Sequence, residues 1–203
     1  MMRRITVVGV AVPGLLLAGF GLVHPSFLAP STATAWWQLH VLLIPIFPLL
    51  AVALWVLLRG ERGVLAWVAR IAAYGYATFY TALDVLAGIG AGIVTEVEQG
   101  GSQAALDLLA LGDQLGAIGA WCFLLAGALT GVVLIRRAGA WAVPGTLVLV
   151  GAGIVFLGSH IYYPVGVFAM VAVAVGCALL AAARRPVNRV ESVSREPVAQ
   201  PTS

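Results

Sequence analysis

The sequence predicts an all-α fold: a polytopic membrane helix bundle with six transmembrane helices and both termini in the cytoplasm. Three observations carry this. The 203 residues are 62% hydrophobic and only 9% charged, where a soluble domain carries about 25% charged residues. The mean hydropathy is +1.04, and the apolar runs approach the roughly 20 residues needed to cross a hydrocarbon core of about 30 Å. Finally, all 11 basic residues are arginines, and six spans with both ends inside put every one of them at the cytoplasmic side, as the positive-inside rule asks. The net charge of +3 is therefore a matter of placement and does not point to nucleic acid.

The first span is expected at 5–23. Arg3 and Arg4 precede it, and Ala33-Thr34-Ala35 has the small-residue pattern of a cleavage site. The apolar run exceeds the roughly 7–15 residues of a signal core, so it reads as an uncleaved helix. His24-Pro25 closes it. Trp36 and Trp37 then mark an interfacial aromatic belt at the start of the second span, 36–58, where Pro45 and Pro48 predict a kink. Arg59, Glu61 and Arg62 form a short loop with Gly60 and Gly63.

The third span, 64–95, organises the rest. A continuous helix from Val64 to Glu96 would measure about 49 Å at about 1.5 Å per residue, so it must tilt, project or bend near Gly88–Gly92. Glu96 to Asp107 reads as the most polar internal loop. The fourth span, 108–135, carries the GxxxG pairs Gly112/Gly116 and Gly127/Gly131, which are packing devices. Arg136 and Arg137 stop it. The fifth, 141–158, holds Pro144 in its first turn, and the sixth, 164–183, runs from Pro164 to Arg184-Arg185. Residues 186–203 lack periodicity and read as a disordered cytoplasmic tail. Cys122 and Cys177 differ in expected depth by about 10 Å, too far for a disulfide, which predicts two free thiols.

The candidate site gathers at the outer ends of the helices. His24 closes the first span, His40 lies a turn into the second and His160 closes the fifth. Asp84 sits in the outer half of the third, where a charged group costs roughly 2.5–3.5 kcal/mol to insert and marks a functional position by default. Three imidazoles and a carboxylate suit Zn²⁺, so His24, His40, Asp84 and His160 form the candidate metal set, with zinc as the first cofactor and haem as the second. Asp84, Tyr80 and Gln114 form the candidate ligand- or proton-binding set. Each also has an ordinary reading. Histidine has a polar tip suited to an interface, Asp84 could bond a tyrosine, histidine or indole across a helix contact, and Tyr76, Tyr80 and Asp84 share a face simply because they are four apart. Gly88 and Gly92 continue that face and let another helix come close.

The segments LHVLLIPIFPLLAVALW (39–55), FYTALDVLAGIGAGIV (79–94) and GSHIYYPVGVFAM (158–170) resemble small multi-pass membrane proteins of high-GC bacteria, a group with no assigned activity. The resemblance covers most of residues 20–180. It implies location in a bacterial cytoplasmic membrane and a helical fold, and it draws attention to His40, Asp84 and His160. The ligand set is also similar to that of the alkaline ceramidase and adiponectin-receptor membrane hydrolases, which hold zinc with three histidines and an aspartate. This chain departs from them in helix number, in ligand order and in lacking paired histidines four apart.

Four function classes follow. One is an outward-facing pocket that binds a metal or small ligand, with metal-dependent hydrolysis as its enzymatic form. A second is a proton-coupled transporter of small molecules using Asp84, and a third a haem protein. A fourth is a structural or partner-binding protein without catalysis. The expected partners are the lipid bilayer and a small apolar or lipid-like ligand. No nucleic acid is expected, and the glycine faces permit an oligomer. The glycines at 88, 90 and 92 follow no strand, so they are not a phosphate loop. No HExxH or CxxC spacing occurs.

Overall fold

A computed structural model describes residues 2–184, which are helical with no strand among them. The tail expected at 186–203 lies outside the described residues. The elements are α1 (Met2–Gly21), α2 (Ala33–Leu43), α3 (Pro48–Leu57), α4 (Val64–Leu83), a π-helical segment (Asp84–Gly90), α5 (Ala91–Glu98), α6 (Gln103–Ala138), a 3₁₀ turn (Gly139–Ala142), α7 (Val143–Ser159) and α8 (Val165–Ala183). Five helical stretches are long and apolar enough to cross a membrane: 4–21, 33–57, 64–98, 103–159 and 165–183. The 57-residue stretch folds back on itself. Gly139 has φ +64° after the two arginines that end α6, and α7 returns alongside α6.

The breaks follow local chemistry. Proline cannot donate a backbone N–H and clashes with the preceding turn, so the second span is interrupted at 44–47 and restarts with Pro48 in the first turn of α3. The long third span bends by a π-helical segment. That segment widens the turn and leaves a carbonyl to be met from outside; the Trp36 indole donates to the Ala87 carbonyl at 3.0 Å. The loop expected from Glu96 to Asp107 is shorter than its polarity suggests. Ser102 caps α6 by accepting the Ala105 N–H at 3.2 Å, and Gln103 donates to Asp107 at 2.7 Å one turn on. Those polar residues are an exposed first turn, held by a cap and an i,i+4 pair.

Small residues bring the helices together. α4 packs along α6, α1 along α8, and α7 lies against both α6 and α8. Gly112 and Gly116 receive Ala87 and Leu83, with a Cβ at 112 falling 2.6 Å from the Ala87 Cβ. The core holds a run of aromatic rings. Phe47 lies 4.7 Å from Tyr80, Tyr80 5.0 Å from Phe156 and Tyr76 5.0 Å from Phe123 between centroids. Each such pair contributes about 0.5–1.5 kcal/mol beyond its burial. Cys122 and Cys177 are both free.

The two ends of the bundle differ in chemistry. At one end Arg70 donates to the Leu58 and Glu61 carbonyls at 2.6 and 3.0 Å. Arg184 donates to the Val56 and Arg59 carbonyls at 3.1 and 2.5 Å. These include carbonyls left without intrahelical partners where α3 ends. Arg137 pairs with Glu61. The histidines lie at the opposite end.

Candidate metal centre

His24 follows α1, and the Pro25 carbonyl accepts from its Nδ1 at 2.7 Å. His40 stands on α2, and the Trp36 carbonyl accepts from its Nδ1 at 2.8 Å. A carbonyl only accepts, so in both rings Nδ1 carries the proton and Nε2 carries the lone pair. His160 ends α7 with its Nδ1 on the Tyr80 hydroxyl at 2.6 Å. One nitrogen from each ring lies within 4.8 Å of the others. With Nδ1 engaged in all three, Nε2 is the atom left free. In His24 and His160 that Nε2 is buried and without a partner. A tetrahedral zinc with bonds of about 2.0–2.1 Å would space its donors about 3.3 Å apart, inside the 4.8 Å limit found here.

The backbone holds His160 in place at a cost. Its φ is +45°, a region a side-chain-bearing residue rarely adopts and that persists only where surroundings impose it. Here they do. A Cβ at Gly166 would come 2.6 Å from the His160 carbonyl oxygen, and one at Gly21 would strike the Ile161 carbonyl. The His160–Ile161 backbone is thus clamped between α1 and α8. His40 is seated similarly. A Cβ at Gly88, in the π-helical segment, would fall 2.6 Å from the His40 Cβ and run into its ring.

Around this trio the rings form a closed set. His24 meets Trp36, His40, His160 and Tyr162 edge to face, with centroids 4.8–5.5 Å apart. His40 and His160 lie nearly parallel at 6.2 Å, with His24 against both. Burial, partly offset by the Pro25 carbonyl, holds His24 below the ordinary imidazole range. Burial and the neighbouring His24 and His40 hold His160 well below it. Depressed values favour the neutral ring, the form that binds a metal. Tyr162 is pushed up to about 12 by burial and by Asp113 and Asp84, so its hydroxyl keeps its proton.

A cleft of about 310 Å³ adjoins the trio. His40, His160, Tyr80, Tyr162 and Asp113 supply its polar lining, with Leu83, Ala87 and Phe156 among its apolar walls. Of the candidate residues, the fold therefore brings together His24, His40, His160 and, behind His160, Tyr80. Asp84 stands outside the trio. It opens the π-helical segment, is fully buried, and neither carboxylate oxygen has a partner among the described residues; the Tyr76 hydroxyl is also without one. Gln114 is exposed and does not line the cleft. Asp113, one residue and about 100° earlier on the helix, does.

Sequence reasoning read Trp36 as an interfacial anchor and missed its two roles, on the Ala87 carbonyl and on His40. The signal was the Trp36–His40 spacing of four, which puts both on one face. Tyr162 lies between the fifth and sixth expected spans, where nothing in the sequence singles it out. Glu96, expected at the start of the polar loop, accepts from Thr34 at 2.5 Å and from the Trp37 indole at 2.6 Å, tying α2 to α5. Comparison with protein-family models, curated proteins and solved structures finds no match to this chain.

Proposed function

We propose that the chain is a six-crossing membrane protein that binds one transition-metal ion, zinc by preference, through Nε2 of His24, His40 and His160. The observation that carries this is the shared orientation of the three rings. Each Nδ1 is engaged, two of them by carbonyls, and one nitrogen of each converges within 4.8 Å of the others. Histidines placed only for interfacial solvation would turn a polar edge to water, whereas here two Nε2 atoms are shielded and unmatched. Three imidazoles and a free fourth position make the donor set of a hydrolytic zinc site, where the ion would activate a water. The adjoining cleft, apolar with a few polar groups, suits a small amphiphile. Tyr80 positions His160, and the Trp36 and Pro25 carbonyls fix the other two tautomers, as outer-shell groups do in metal sites.

The test is elemental analysis of detergent-purified protein beside His40→Ala. About one zinc per chain is expected in the native protein. Retention should fall by roughly tenfold or more in the variant, since even outer-shell changes cost 10–100-fold in affinity. A metal-free native protein after zinc addition and dialysis rejects the assignment.

A second reading rests on Asp84. A buried carboxylate with no partner is held neutral or in contact with a cation, so Asp84 is suited to carry a proton in coupled transport. Liposomes bearing the protein would then show a pH-driven flux that Asp84→Asn abolishes. An unchanged flux in that variant removes the reading.

A further inference from the structure

We infer that the arginine end of the bundle carries a second site, for a phosphate-bearing anion, between the start of α4 and the end of α6. The site is a cleft of about 390 Å³ whose lining includes Arg62, Arg136, Arg137 and Glu61 over an apolar floor of Ala66 and Val133. Charge in it is unbalanced. Glu61 pairs with Arg137, and Arg62 and Arg136 line the same cleft with no hydrogen-bond or ion-pair partner among the described residues. Two unpaired like charges repel, and an anion between them offsets that. Guanidinium matches phosphate with parallel N–H donors in a planar fork.

Surface arginines are often no more than solvated, but these two are presented by a built frame. Arg62 leaves a loop whose carbonyls are tied down by Arg70 and Arg184. Arg136 leaves the last turn of a 36-residue helix. The two come from distant parts of the chain to one concavity, so the fold itself brings both charges to the same ligand. The apolar floor fits the glycerol and first methylenes of a phospholipid, and the guanidiniums alone fit free phosphate. The shared chemistry is the phosphate group, and the site is independent of the histidine trio.

The experiment is native mass spectrometry of the full chain in detergent, incubated separately with phosphatidylglycerol, phosphatidylcholine and inorganic phosphate. The proteins are the native chain, Arg62→Gln/Arg136→Gln, and Arg4→Gln as an arginine outside the cleft. The native chain and Arg4→Gln should retain phosphatidylglycerol over phosphatidylcholine. The double variant should lose that retention by roughly thirtyfold, at about fivefold per arginine. Inorganic phosphate that binds the native chain, competes with the lipid and is lost in the double variant keeps the site and makes free phosphate its source. Equal retention of both lipids, retention unchanged in the double variant, or no binding of lipid or phosphate overturns it. An unfolding temperature in detergent equal to that of the native chain shows that the variant is folded, whether or not the histidine trio binds zinc.

Discussion

At the scale of single residues, the sharpest contrast is between Asp84 and Tyr80, which are one turn apart on the same face. The Tyr80 hydroxyl reaches His160 at 2.6 Å, while neither Asp84 oxygen has a hydrogen-bond partner among the described residues. Tyr80→Phe keeps the ring in the aromatic core and removes only that bond. Zinc affinity is expected to weaken by about 10–100-fold while the unfolding temperature hardly moves; unchanged affinity on competition with a chelator would leave Tyr80 a packing residue. Asp84→Leu should behave the opposite way. It exchanges a buried, unsatisfied acid for an apolar group, so unfolding free energy in detergent should rise by about 1–3 kcal/mol with zinc content constant. A fall in zinc would return Asp84 to the coordination sphere. The sequence made Asp84 conspicuous because a lone acid in an apolar run is costly. It could not tell that the acid and the histidines lie in neighbouring spaces, because that is set by how far the helix rotates before it.

At the scale of elements, the π-helical segment decides the site. It aims the Ala87 carbonyl at Trp36 and brings Gly88 under His40. Gly88→Ala is therefore expected to displace His40, lower zinc retention and cost about 1–3 kcal/mol by overpacking. Gly151→Ala, with nothing within 4 Å of the added Cβ, should be neutral or gain up to about 1 kcal/mol from helix propensity. Thermal unfolding and metal analysis of the pair check this, and equal behaviour of the two would remove the special place given to Gly88. The Gly88–Gly92 face was legible as a docking surface because glycines four apart have one structural use in a membrane. Its partner helix was not legible, nor was the π bulge, since one inserted residue leaves the apolar pattern nearly unchanged. Along α6 one residue rotates the face by about 100°, which is why Asp113 lines the cleft while Gln114 is exposed.

At the scale of the whole molecule, the arginines that form contacts and the histidines occupy opposite ends, and this polarity carries the topology. Arginine enrichment at the cytoplasmic side is the ground for the proposal that the histidine trio and its cleft face outward. In the proposed six-crossing topology the 57-residue helical stretch crosses twice, turning at Gly139. The reverse assignment would put every arginine outside. Single-cysteine reporters in a Cys122→Ala/Cys177→Ala background separate the cases. Ser31 and Gly101 lie in the connections at the histidine end, and Arg59 and Ala140 in those at the arginine end. Cysteines at 31 and 101 should react with an impermeant maleimide on intact cells, and those at 59 and 140 only after permeabilisation. Reaction at 59 on intact cells would invert the bundle and put the metal site on the cytoplasmic side. Opposite behaviour of 59 and 140 would mean that residues 103–159 do not return through the membrane, and the α6–α7 pairing that shapes the cleft would fall with it.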